Sequence, residues 1–138
     1  MTITTADATK PRSTTRWVGR ALTVLAVLFL IFDAVAKLMR VPQAVQATTA
    51  QLGFPDRAVV GIGLLLLGCT CVYLIPRTAP LGGLLLTGYL GGATAANVRV
   101  GDSVFETIFP ILFAVWIWAT LILRDDRLRV LLPGRRNR

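Results

Sequence analysis

Asp33 and Lys37 stand four residues apart, just after an apolar run, Ala21–Phe32. On a helix that spacing puts both side chains on one face, about 6 Å apart along the axis. The carboxylate is a candidate acid or base, and the ammonium beside it a candidate holder of an anionic or carbonyl group. Asn97, Arg99 and Glu106 flank later apolar runs. Tyr89 lies a little over two turns before Asn97, too deep for an interfacial residue, and offers a phenol below them. The candidate catalytic groups are therefore Asp33, Glu106 and Tyr89; the candidate binding groups are Lys37, Asn97, Arg99 and Thr87. The chain has no His, so the usual axial haem ligand and the commonest zinc ligand are missing, and no metal site is expected.

The elements that must position these groups are apolar helices. Residues 58–76, 78–98 and 107–123 contain no charged side chain. A hydrocarbon core about 30 Å thick takes roughly 20 mostly apolar residues per helix, so 138 residues hold four spans with little left over. With 54% apolar and 16% charged residues, the chain is too apolar for a soluble domain of its size. The run from Val59 to Gly68 is apolar on every side, which in a short chain points to lipid. The expected fold is all-α: an integral membrane four-helix bundle with helices at about 17–39, 58–75, 81–97 and 105–123.

Net charge of +8 suggests nucleic acid until it is mapped. With a cytoplasmic N-terminus and four crossings, the inner side carries Lys10, Arg12, Arg16, Arg20, Arg77, Arg124, Arg127, Arg129, Arg135, Arg136 and Arg138. Lys37, Arg40, Arg57 and Arg99 fall outside, balanced by Asp33, Asp56, Asp102 and Glu106. The excess is all on one side, as the positive-inside rule requires, so both termini are expected in the cytoplasm and nucleic acid is not needed as a partner. Residues 1–15 are polar and Thr-rich and are expected to be disordered; residues 125–138 form a basic tail expected to lie on the membrane. Arg16 and Arg20 ahead of an apolar run, with Ala34-Val35-Ala36 after it, resemble a cleavable leader. Asp33 interrupts that region and Lys37 follows it at once, so the first helix is expected to stay.

Between the first two spans, Val41, Val45, Thr48 and Leu52 fall on one stripe behind Pro42, a short amphipathic helix, ended by Gly53 and Pro55, that lies on the outer surface or caps the bundle. In the third span Gly88, Gly92 and Ala96 make one small-residue ridge, and Thr87, Gly91 and Ala95 the next. Such ridges let backbones approach in lipid, so this helix is expected at the centre, closely flanked on two sides. Cys69 and Cys71 point roughly 200° apart on a helix and cannot bridge each other; they read as small apolar fillers.

Asp33, Lys37, Asn97, Arg99 and Glu106 then converge at one depth, the outer end. Two readings stand side by side. Asp33 with Lys37, and Glu106 with Arg99, are neutralised pairs that lock helix ends; or the same groups rim a cavity open outward or sideways to lipid.

At these residues the chain resembles the DoxX-like family. The resemblance rests on Phe32-Asp33-x-x-x-Lys37, on Tyr73-Leu-Ile-Pro-Arg-Thr-Ala-Pro-Leu-Gly82, on Leu86-Thr-Gly-Tyr-Leu-Gly-Gly-Ala93, and on Trp118 followed by Leu123-Arg-Asp125. It covers about residues 16–133, the two middle segments being the most specific. It implies a four-helix bacterial inner-membrane protein related to the membrane subunits of a thiosulfate:quinone oxidoreductase. A quinone is then the implied cofactor, and other membrane or redox proteins the implied partners, besides the bilayer. Members often carry a Glu in mid-helix 2, where this chain has Gly63-Leu64-Leu65-Leu66, and a His after the GGA segment, where it has Asn97.

Three function classes follow. The first is an accessory or lipophile-binding subunit of a membrane redox system. The second is a small membrane enzyme, an acid-base isomerase, cyclase or reductase, acting on a lipophilic substrate through the outer cluster and Tyr89. The third is a small transporter, which needs a lone carboxylate at mid-membrane; Asp33 sits near a rim beside a lysine.

Overall fold

A computed structural model describes residues 12–131, and the structure is all-helical over that range. The elements are α1 (Arg12–Leu38), α2 (Pro42–Gln46) continuing into a wider π-helical turn (Ala47–Gln51), α3 (Ala58–Leu74), α4 (Ala79–Val100), α5 (Val104–Arg124) and α6 (Asp126–Leu131). α1 begins ahead of Trp17 and takes in the end of the tract expected to be disordered; residues 1–11 and the end of the basic tail lie outside the described residues. The four long helices contact one another in a ring: α1 packs on α3 and α5, and α4 on the same two.

Two of the four, α1 and α5, are long and apolar enough on their own to cross a membrane. α3 is as apolar but has 17 residues, about 25 Å of helix. α4 has 22 residues, yet its Gly, Thr, Ala and Pro dilute its hydropathy. Large apolar side chains face outward from all four: Phe32, Leu64, Leu84 and Leu112 are exposed.

Local chemistry sets the helix ends. Ser103 caps α5 by accepting from the Glu106 N–H at 3.2 Å, a Ser-x-x-Glu start. α4 opens with Pro80 in its first turn, where no N–H is needed. It ends at Gly101, whose φ of 72° is the left-handed cap that glycine accepts freely. In the short α3–α4 turn, the Thr78 hydroxyl donates back to the Val72 carbonyl at 2.9 Å.

Packing is tightest at the end where α1 and α4 begin and α3 and α5 finish. A Cβ on Gly82 would sit 2.3 Å from the Tyr73 backbone, so α3 and α4 touch main chain to main chain there. Tyr73 is fully buried, and its hydroxyl shares a 2.8 Å hydrogen bond with Thr120 Oγ1. Leu66, Leu86, Ile117 and Leu121 complete this core. The Arg16–Asp126 ion pair ties α1 to α6 at the same end.

The expected central position of the Gly-rich helix is not what the structure has. α4 has two main long-helix neighbours, as each of the others does. A Cβ added at Gly88, Gly91 or Gly92 meets nothing within 4 Å. The close approaches use other glycines: Gly82 on Tyr73, and Gly63 with its added Cβ 2.8 Å from Lys37 Cβ. The small residues on the C-terminal half of α4 leave space open instead.

Candidate functional site

That space is a cavity of about 600 Å³. Its walls come from all four long helices, and the α2 segment roofs it with Ala47 and Thr48. The stripe expected to face the helices does so: Thr48 is buried, and Val41, Val45 and Leu52 are half-buried. One wall is aromatic. Phe29 of α1 meets Phe113 of α5 at 5.1 Å between ring centres and Phe109 at 6.0 Å. The opposite wall is the face of α4 that carries Gly88, Gly92, Ala93 and Ala96. Gly88 and Gly92 are also exposed outward, as are Leu65 and Leu85 on the same lining, so the cavity communicates sideways between α3 and α4.

Asp33, Lys37 and Tyr89 all line this cavity. Lys37 Nζ donates to Asp33 Oδ2 at 2.5 Å across one helical turn. The lysine is the more enclosed partner, with 14% of its side chain exposed against 37% for the carboxylate. Asp33 is within electrostatic reach of the Tyr89 hydroxyl. Thr48 spends its hydroxyl on the Ala44 carbonyl at 2.8 Å.

The other expected site residues are placed differently. Asn97 and Glu106 meet in a smaller recess of about 370 Å³, which shares Asp33 with the cavity. There Asn97 Nδ2 donates to the main-chain carbonyl of Glu106 at 2.6 Å. The reason is Pro110: a proline has no N–H for the carbonyl four residues earlier, which is that of Glu106. Asn97 restores the missing hydrogen bond, as a buried broken helix requires. The Glu106 side chain is exposed and lies beside Asp102, so the expected pairing with Arg99 is absent. Arg99 lines neither space. It donates to the Leu52 carbonyl at 2.9 Å and stacks over Phe54 at 5.9 Å, holding the end of the roof segment. Thr87 also lies off the cavity; its hydroxyl accepts from Trp118 Nε1 at 2.8 Å and donates to the Gly83 carbonyl at 2.7 Å. In these contacts both side chains hold neighbouring elements together.

The chain matches the DoxX-like family model over residues 21–120. It belongs to the DoxX-like family. No curated protein and no solved structure matches it. The structure gives a physical reason for two of the sequence segments that carried the resemblance to the DoxX-like family. The first, from Tyr73 to Gly82, closes on itself, its last glycine resting on the backbone of its first tyrosine. The second, Leu86–Ala93, supplies the buried Leu86 and the open glycine face.

Sequence reasoning missed the Phe29–Phe109–Phe113 wall and the part played by Pro110. Cys69 is buried on the cavity lining, while Cys71 is exposed. A proline within an apolar helix was the one legible signal, since the carbonyl it frees needs a donor.

Proposed function

We propose that this DoxX-like protein crosses the bacterial inner membrane as a four-helix bundle with both termini in the cytoplasm, and that its cavity holds a lipophilic molecule. In that role it serves a membrane redox system as an accessory or quinone-binding subunit, with the bilayer and other membrane or redox proteins as its partners. The observation that carries this reading is the cavity itself. Its volume falls within the roughly 300–1,000 Å³ of small-molecule sites, it is mainly apolar, and its few polar groups gather on Asp33, Lys37 and Tyr89. The gap between α3 and α4 would admit a molecule from the lipid. The orientation is supported by charge: Arg16, Arg20, Arg77, Arg124 and Arg127 lie at the tightly packed end, and Asp33, Asp56, Asp102 and Glu106 at the cavity end.

A second reading, a small membrane enzyme acting on a lipophilic substrate, is favoured by one feature: a phenol and a carboxylate face the same space, which suits proton exchange with a bound carbonyl compound. The test of binding comes before either. Protein purified in mild detergent is extracted, and its lipophiles are identified by mass spectrometry beside those of Gly88→Leu, whose side chain fills the opening. A molecule carried at near one per chain by the parent and lost in the variant supports the reading. Identical extracts from the two refute it.

A further inference from the structure

We infer that the cavity selects neutral lipophiles bearing a carbonyl and excludes ionised fatty acids and amines of the same length. This deepens the lipophile-binding reading and rests on it. The argument is a charge count over the groups that line the space. One cation, Lys37, and one anion, Asp33, face it, already joined at 2.5 Å. The pair is neutral as a unit, on the wall of a largely apolar cavity.

An entering carboxylate would have to share Lys37 with Asp33, leaving one negative charge in excess in an apolar space. An entering ammonium would compete with Lys37 for Asp33 and leave one positive charge in excess. Either uncompensated charge is disfavoured where water is scarce. A carbonyl brings no charge and asks only for donors. Lys37 has three N–H groups and gives one to Asp33. The Tyr89 hydroxyl donates to no other described residue. Lys37 and Tyr89 thus both have hydrogens to give at this end, while Thr48 adds none because its proton is committed to Ala44. A carbonyl oxygen, with two lone pairs and no charge, is a head group that suits these donors.

The measurement is binding of four probes of one chain length to the detergent-purified full chain at neutral pH: a methyl ketone, a carboxylic acid, a primary amine and the parent alkane. Thermal stabilisation and native mass spectrometry report the affinities. The ketone is expected to bind at least about tenfold more tightly than the acid or the amine. Tyr89→Phe should weaken the ketone about fivefold and leave the alkane unchanged. Asp33→Asn frees Lys37 and should turn the preference toward the acid. Acid or amine binding as tightly as the ketone overturns the inference, and so does a ketone no tighter than the alkane. If no probe binds, the alkane included, it is the lipophile-binding reading that fails.

Discussion

The glycines of this chain fall into classes that substitution by alanine should rank without reference to sequence conservation. At Gly82 an added Cβ would lie 2.3 Å from both Cα and N of Tyr73. Ordinary contact begins near 3.4 Å, so α3 and α4 must separate by about 1 Å, and main-chain atoms have no rotamer with which to yield. Overpacking costs about 1–3 kcal/mol, and Gly82→Ala is expected at the top of that range. At Gly63 the nearest atoms are Lys37 Cβ at 2.8 Å and the Ala34 carbonyl at 3.0 Å, a milder clash that should cost less. At Gly88 and Gly92 nothing lies within 4 Å, and alanine should be neutral or should stabilise by up to about 0.5–1 kcal/mol through helix propensity. The assay is reversible unfolding in mixed micelles, followed by circular dichroism, across the four alanine variants. Gly88→Ala as damaging as Gly82→Ala would refute the reasoning, because it would mean that this face of α4 is packed and the cavity closed.

Four further outcomes are expected. Asn97→Ala should cost about 1–3 kcal/mol by leaving the Glu106 carbonyl unsatisfied, while Asn97→His, which keeps a ring N–H donor, should recover part of it in the same unfolding assay. Asp33→Asn and Lys37→Met should each destabilise by about 1–3 kcal/mol, between the values for exposed and buried pairs, with the double variant regaining part of the loss; unchanged melting of both single variants would show the pair to be fully hydrated. Arg99→Ala should raise hydrogen exchange in the roof segment 42–54 and leave global stability nearly unchanged. Reporter fusions at Gly101 and after the last residue should lie on opposite sides of the membrane, and a common side would refute the proposed orientation.

Charge-free runs made the long helices legible, because continuous apolarity needs no partner to interpret. The cavity was legible only in its polar members. Asp33, Lys37 and Tyr89 stand out in an apolar chain, and the structure brings all three to one space. The small residues of α4 misled, because spacing tells that Gly88 and Gly92 share a face and not whether a helix or empty space lies opposite. Arg99 misled for a related reason. Its depth matched Glu106, but an arginine reaches far, and its guanidinium donates instead to a carbonyl at the end of the roof segment, Leu52. The Asn97–Glu106 contact is main-chain chemistry created by Pro110, and a side-chain census cannot see it.

The two ends of the helix ring are built on opposite principles, and each explains the other. At the end with Tyr73, backbones touch through Gly82, Thr120 of α5 bonds Tyr73 of α3 across the ring, and Trp118 bonds Thr87 of α4. In lipid such close contacts and interhelical hydrogen bonds supply the association energy that water would otherwise provide. At the other end α1 and α3 stay close through Gly63 while the small residues of α4 face the cavity, and the further ties are peripheral: Arg40 pairs with Asp56, Arg99 holds the Leu52 carbonyl, and Asn97 mends the break at Pro110. An open cavity end can persist because the tightly packed end fixes the helix spacing. Substitutions that loosen the Tyr73–Gly82 contact should therefore reshape the cavity without touching it, and ligand affinity should fall with them. Substitutions at Gly88 should instead block the cavity while the fold stays intact.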